Sequence, residues 1–416
     1  MPDPAAQRTF ALEIVRKLRA ANFEALWAGG CVRDQLLGIT PKDYDVATSA
    51  TPDQIRDLFG RRRTLPIGAA FGVVTVLGPR AAGQIEAATF RQDAAYSDGR
   101  HPDSVTFTSA EHDAQRRDFT INGLFFDPIA EKVVDFVGGQ NDLAARTIRA
   151  IGNPRERLHE DKLRMLRAVR FAATFNFAIE PMTMQAIQSM AAEIRAVSAE
   201  RSGMEMRRML LDANRSRAMT LLRESGLLRY VLPEIAALAD VTFEDVLAVL
   251  ERLDTPTIAV IMAAILRVAL PQARPQQAQE AARRLRFTKH EGDRAAWLLQ
   301  KLPVLAKAHE LPWPTIQRLL IHDGAEEIVA LHEAMAGPGD AAVKFCRERL
   351  AWTPELLNPA PLLDGGALIS HGLKPSPEFS TLLERVRDAQ LVGEISTADE
   401  AIALVDRLRA SSHTLR

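Results

Sequence analysis

Apolar positions along this chain follow one period in its first third and another afterwards. From about Ala5 to Ala20 the spacing is helical, with Phe10, Ile14 and Leu18 on one face. The apolar run Ala25 to Ala28 predicts a short strand feeding Gly29-Gly30, and Val32 to Leu37 a helix stopped by Gly38 and Pro41. Tyr44 to Ala47 reads as a second strand. Ser49-Ala-Thr-Pro-Asp opens a helix at Pro52, with Thr51 as N-cap and the proline at the first helical position. Val73 to Leu77 and Gln84 to Phe90 are further strands, and Val133 to Val137 closes the sheet region. The polar stretch from Arg91 to Val105 reads as a loop long enough to be functional. From Asp142 onward the pattern turns helical and stays so. One helix is expected from about Glu156 to Phe175 and another from Ser198. Amphipathic runs follow at Phe243 to Leu253 and Ile258 to Leu270. Beyond Pro271 to Gln279, more helices are punctuated by Pro303, Pro312-Trp-Pro314 and Gly337-Pro-Gly339.

Composition narrows this little. Of 416 residues, 47% are hydrophobic and 25% charged, as in ordinary globular proteins, and the length allows two to four domains. A net charge of −1 excludes global basicity, so any RNA contact must come from local patches such as Arg61-Arg62-Arg63 or the arginines from Arg155 to Arg170. Two distant cysteines, Cys31 and Cys346, lie outside any metal-ligand spacing and suit a reducing compartment. With no apolar leader and no long uncharged run, a cytoplasmic protein is expected.

Candidate chemistry concentrates between Trp27 and Pro52. Gly29 and Gly30 lack Cβ, so the backbone can turn tightly and bring N–H groups near a phosphate. Residues i and i+2 of a strand share a face, so Asp43 and Asp45 would aim two hard oxygen ligands at one point, as Mg²⁺ requires. Arg33 and Lys42 could neutralise a triphosphate. Each signal alone is commonplace; their order along the chain is not.

That order, on Gly29, Gly30, Val32, Arg33, Asp34, Lys42, Asp43 and Asp45, resembles the active-site signature of the nucleotidyltransferase superfamily. The form is that of class II tRNA nucleotidyltransferases (CCA-adding enzymes) and bacterial poly(A) polymerases. The resemblance runs from about Trp27 to Glu234, and more weakly from Pro361 to Val405. It implies an α+β fold: a nucleotidyltransferase head with a small mixed sheet, then an all-α neck, body and tail. The expected boundaries are 1–140, 141–235 and 236–416, with the last segment holding tRNA. It makes Glu86 a third catalytic carboxylate beside Asp43 and Asp45, able to polarise an RNA 3′-hydroxyl. It places Arg117, Asp118 and Asn122 (with Arg116 and Thr120) on the sugar and phosphates of a nucleotide. It likens the Arg91 to Val105 loop, with Tyr96, Arg100 and Pro102, to one that switches between C and A addition.

Asp161 and Arg164 sit three residues apart, on one face of the helix expected there. Cytosine and adenine each present an amino donor beside a ring-nitrogen acceptor, whereas uracil and guanine present a carbonyl beside a ring N–H. A carboxylate beside a guanidinium would accept the first two and reject the others. The bland alternative is an intrahelical salt bridge. The surrounding Glu160 and the run Arg164, Arg167, Arg170 resemble the family's nucleotide-reading motif, which favours base recognition. The segment from Glu200 to Asp212 resembles a bracing helix, with Ser202-Gly203 departing from the usual apolar residue.

Three functions compete. One is addition of C, C and A to the 3′ end of tRNA from CTP and ATP with Mg²⁺, or one half of a split C-adding/A-adding pair. The second is a poly(A) polymerase, against which Gly68-Ala-Ala-Phe71 stands where Gly-Arg-Arg-Phe is usual. The third is an inactive RNA-binding scaffold, which has no need of clustered, mutually repelling carboxylates. His322-Asp323 has no companion histidines and is expected on the surface. Oligomeric state is left open, a monomer being plausible.

Overall fold

The computed structural model describes residues 3–93 and 104–413. The chain divides into two compact units, Met1–Leu238 and Ala239–Arg416.

The first unit opens with α1 (Pro4–Ala20), whose face of Phe10, Ile14 and Leu18 is buried as the periodicity requires. Seven strands form its sheet: β1 (Ala25–Ala28), β2 (Asp45–Thr48), β3 (Thr64–Leu65), β4 (Val73–Leu77), β5 (Gln84–Thr89), then β8 (Phe125–Asp127) and β9 (Lys132–Val134). Between β5 and β8, β6 (Arg91–Asp93) pairs with β7 (Val105–Phe107) as a separate hairpin. The order β3-β4-β5-β2-β1-β8-β9 puts β1 and β2 near the middle. β1 is buried along its whole length, with Trp27 packed edge-on against Tyr44 at 4.9 Å between ring centroids. The sheet is mixed: β2 runs antiparallel to β1 and parallel to β5.

Short helices join the strands: α2 (Gly30–Leu36), α3 (Pro52–Phe59), α4 (Ala110–Gln115) and α5 (Gly139–Ala144). At α3 the Thr51 hydroxyl accepts from Gln54 N–H and the Gln54 side chain answers at the Thr51 N–H, a complete capping box with proline next. The last strand stops at Val134 rather than Val137. Asp135 accepts from the N–H groups of Val137, Gly139 and Gln140, which turns the chain into α5.

The helix expected from Glu156 to Phe175 is two helices, α6 (Pro154–Glu160) and α7 (Leu163–Thr174). Asp161 is extended (φ −145°, ψ 105°), and its carboxylate accepts the Leu163 N–H at 3.1 Å, a local bond that competes with the helical ladder. The two-residue strands Thr147–Ile148 (β10) and Ala178–Ile179 (β11) pair in parallel across this region. α8 (Pro181–Met190), α9 (Ala199–Leu211) and α10 (Arg215–Glu224) complete the helical layer, with α9 and α10 packed on α7.

The second unit is helical among its described residues. Its most buried helix, Ile258–Ala269, is apolar on all sides up to Arg267 in its last turn. A smaller core of Leu368, Val386, Ala401 and Val405 gathers Gly365–Ser370, Glu378–Leu391 and Ala398–His413. Pro303 does not end a helix; it lies in the last turn of Lys289–Leu305. His322 stacks on Trp297 at 4.0 Å, and Asp323 pairs with Arg294 at 2.7 Å on the surface.

Candidate active site

One open cleft of about 750 Å³ lies within the first unit. Its walls come from the glycine turn, the entry to β2, the segment after α4, the break between α6 and α7, and the inner face of α9. The turn needs glycine for its backbone conformation. Gly29 has φ +72°, and a Cβ there would stand 2.8 Å from the Arg117 guanidinium.

Asp43 and Asp45 line one end of the cleft. Asp45 begins β2, and the parallel register sets Glu86 of β5 directly beside it. Alternation along β5 buries Ile85 and Ala87 and leaves Glu86 exposed with the aspartates. Three carboxylates thus crowd together with few counter-charges. The Asp45 carboxyl is pushed up to about 6, chiefly because its recess strips part of its hydration, then by Glu86 and, against the opposing pull of Arg117, by Asp43. Among the described residues no three acidic, histidine or cysteine side chains form a ready-made metal cage. The set is instead open: hard oxygen donors whose mutual repulsion a divalent cation would relieve, with ligand positions left for phosphate oxygens. On donor chemistry and charge, the residues fit such an ion.

The rest of the cleft is paired. Arg33 is buried, stacked 4.6 Å from the Phe175 ring; it donates to Asp34 and, at 2.6 Å, to the Asn122 amide oxygen. Asn122 in turn donates to Asp118 at 3.0 Å, and Arg167 closes on the other Asp118 oxygen at 2.6 Å. Burial alone would raise the Asp118 carboxyl, but Arg167 and Asn122 overcome it and bring it to about 2. Arg117 donates to Asp113 at 2.9 Å and to the Asn122 carbonyl at 3.3 Å. Asp161 and Arg164 both face the cleft, yet no ion pair joins them. Arg201 of α9 holds Asp161 at 2.7 Å, while Arg164 pairs with Glu160 and donates to the Arg157 carbonyl at 2.8 Å.

Of the residues expected from the sequence, Gly30, Arg33, Asp43, Asp45, Arg117, Asp118, Asn122, Asp161, Arg164 and Arg167 line this cleft. Glu86 stands beside Asp45 without lining it. Arg170 points elsewhere and binds buried Glu205 of α9 at 2.5 Å. Tyr96, Arg100 and Pro102 lie outside the described residues. Arg201 and Arg208, which also line the cleft, were not expected. Their seven-residue spacing, two turns along one helix face, is the signal that could have found them.

Residues 25–149 match the poly(A) polymerase head domain family, and residues 176–238 match the family described as "Probable RNA and SrmB-binding site of polymerase A". Head, glycine turn and paired aspartates thus define the class as a nucleotidyltransferase head carried on a helical neck. A CCA-adding enzyme of Latilactobacillus sakei is 33% identical over 403 residues, 94% of this chain and 96% of that one. The crystal structure of the Bacillus stearothermophilus CCA-adding enzyme in complex with CTP superposes with a TM-score of 0.80 at 29% identity, covering 100% of both chains. The chain belongs to the CCA-adding enzyme family. The CCA-adding enzyme of Enterococcus faecalis is 45% identical over 206 residues, and that of Levilactobacillus brevis 42% over 221; these two matches span only about half of those relatives, 50% and 54%.

Proposed function

We propose that this protein adds C, C and A to the 3′ end of tRNA, using CTP and ATP, without a nucleic-acid template and in the cytoplasm. One observation carries the reading: Asp43 and Asp45 face the same cleft as Asp161 and Arg164. The group that would hold a cation at the α-phosphate and the group that would read the base are therefore set around one nucleotide. The partition into a catalytic head, a neck and a tRNA-holding body and tail goes with it.

Asp43 and Asp45 would hold Mg²⁺, which, when bound, neutralises triphosphate oxygens and favours ionisation of the RNA 3′-hydroxyl. Glu86, next to Asp45, accepts the hydroxyl proton as the oxygen attacks the α-phosphorus and pyrophosphate departs. Arg117 and the Gly30 amide at the start of α2 would face the triphosphate, the Gly29 amide being engaged with the Leu124 carbonyl at 3.0 Å. Arg33 lines the same cleft, and its bonds to Asp34 and Asn122 hold the Asn122–Asp118–Arg167 chain in place. At the far end Asp161 accepts the amino group and Arg164 donates to the ring nitrogen of cytosine or adenine, while uracil or guanine would leave both charges without a partner.

Purified protein with tRNA lacking its 3′ end, and CTP or ATP singly and together, tests this. The expected product carries three added nucleotides and then stops despite excess ATP. Long A tails on generic RNA would indicate a poly(A) polymerase, and arrest after two C residues with both nucleotides present a C-adding specialist.

A further inference from the structure

We infer that Arg201, on α9, is a positioning residue for base selection: it orients the Asp161 carboxylate so that Asp161 presents a fixed acceptor to the incoming base. The inference rests on the base-reading role proposed for Asp161. Asp161 lies at the break between α6 and α7: its backbone is extended and its carbonyl accepts the Arg164 N–H at 3.0 Å, but no neighbouring helical turn fixes its side-chain rotamer. Two contacts supply what the helix does not. The Leu163 N–H meets one carboxylate oxygen at 3.1 Å, and the Arg201 guanidinium meets the other at 2.7 Å. With one donor on each oxygen the carboxylate plane is set, and each oxygen keeps a lone pair for a base amino group.

Arg201 is itself held by its helix. Ser198 caps α9, and Glu205, one turn beyond Arg201, is buried and tied to Arg170 of α7. The bracing of α9 against α7 therefore sets the Arg201–Asp161 distance. Arg164 is held independently by Glu160 and the Arg157 carbonyl, so the acceptor and donor halves of the base reader have separate supports. Loss of Arg201 frees the Asp161 carboxylate to rotate, after which its fit to cytosine and adenine no longer exceeds its fit to other bases by the same margin.

The test measures kcat and KM for CTP, ATP, UTP and GTP on a tRNA primer, for wild type, Arg201→Gln, Arg201→Lys, Asp161→Ala and the double variant Asp161→Ala/Arg201→Gln. Circular dichroism accompanies each variant. Arg201→Gln is expected to reduce discrimination against UTP and GTP about tenfold, with Arg201→Lys restoring part of it, and to have no added effect on discrimination in the Asp161→Ala background. If Arg201→Gln folds but retains wild-type discrimination, or if its effect persists undiminished without Asp161, Arg201 does not act through Asp161. Should Arg201→Gln fail to fold, Arg201→Lys with unchanged discrimination and unchanged KM would equally overturn the inference. Failure of the underlying reading looks different: wild type would not select C and A, or Asp161→Ala would select them as well as wild type does.

Discussion

The two ends of the cleft are built on opposite electrostatic plans. At the strand end, Asp43, Asp45 and Glu86 face one another with little to balance them, and the Asp45 carboxyl is raised to about 6. At the helical end every charge has a partner: Asp118 with Arg167, Asp161 with Arg201, Arg164 with Glu160. A site that receives a cation is best left short of positive charge, since a resident guanidinium would compete for the same oxygens. A site that discriminates by hydrogen bonds is best held rigid before the ligand arrives, because loose groups can adapt to the wrong base.

Five substitutions would break or sharpen this contrast, in order of expected size. Asp43→Ala or Asp45→Ala should lower cation-dependent incorporation by at least about 10²–10³-fold while leaving the fold intact, since the lost charge was repelled rather than paired. Near wild-type turnover in single-turnover assays would refute the carboxylate assignment. Asp118→Asn should instead cost stability, about 2 kcal/mol at neutral pH, because it removes the buried carboxylate with which the half-buried Arg167 pairs. The Asp118 carboxyl lies at about 2, below the ordinary carboxylate value, so its stabilisation is full above about pH 4 and lost as pH falls toward 2. Denaturant titrations of variant and wild type should therefore converge in acid; a constant gap would exclude the ion pair as the cause.

Asp161→Ala should erode selection against UTP and GTP by about 10–100-fold while disturbing triphosphate affinity less, because an acceptor is removed and the basic groups stay. Weaker binding of all four nucleotides with unchanged selectivity would make Asp161 a plain structural partner of Arg201. The smallest effect concerns Asp45→Asn without metal. Asp45 is raised above its ordinary value, so the folded chain binds more protons than the unfolded one between about pH 4 and 6. Stability falls as pH rises through that window, and the penalty persists above it. The variant should be more stable than wild type at pH 7.5, by about 1 kcal/mol or less given the exposed, screened carboxylate, and equal to it below pH 4. Thermal melts showing a less stable variant at pH 7.5 would contradict the upward shift of the Asp45 carboxyl.

Much of this protein follows from features local in sequence. The apolar run Ala25–Ala28, the glycine turn, the Thr51-Pro52 cap and the alternation that exposes Glu86 all depend on neighbours a few residues away, and the structure places each where that chemistry puts it. The period change near Asp142 separates sheet from helical layer for the same reason. Pairing partners were not legible, because an arginine bears no mark of which carboxylate it will meet. Asp118 meets Arg167 and Asp161 meets Arg201 across 49 and 40 residues, and those distances close only when α7 packs against α9 and against Phe119, next to Asp118. The break at Asp161 was hidden too, since one aspartate, though a weak helix former, does not interrupt the helical pattern of the residues around it. Tertiary structure decided it: an extended Asp161 can bond both the Leu163 N–H and Arg201, and those bonds replace the helical ladder given up at that residue.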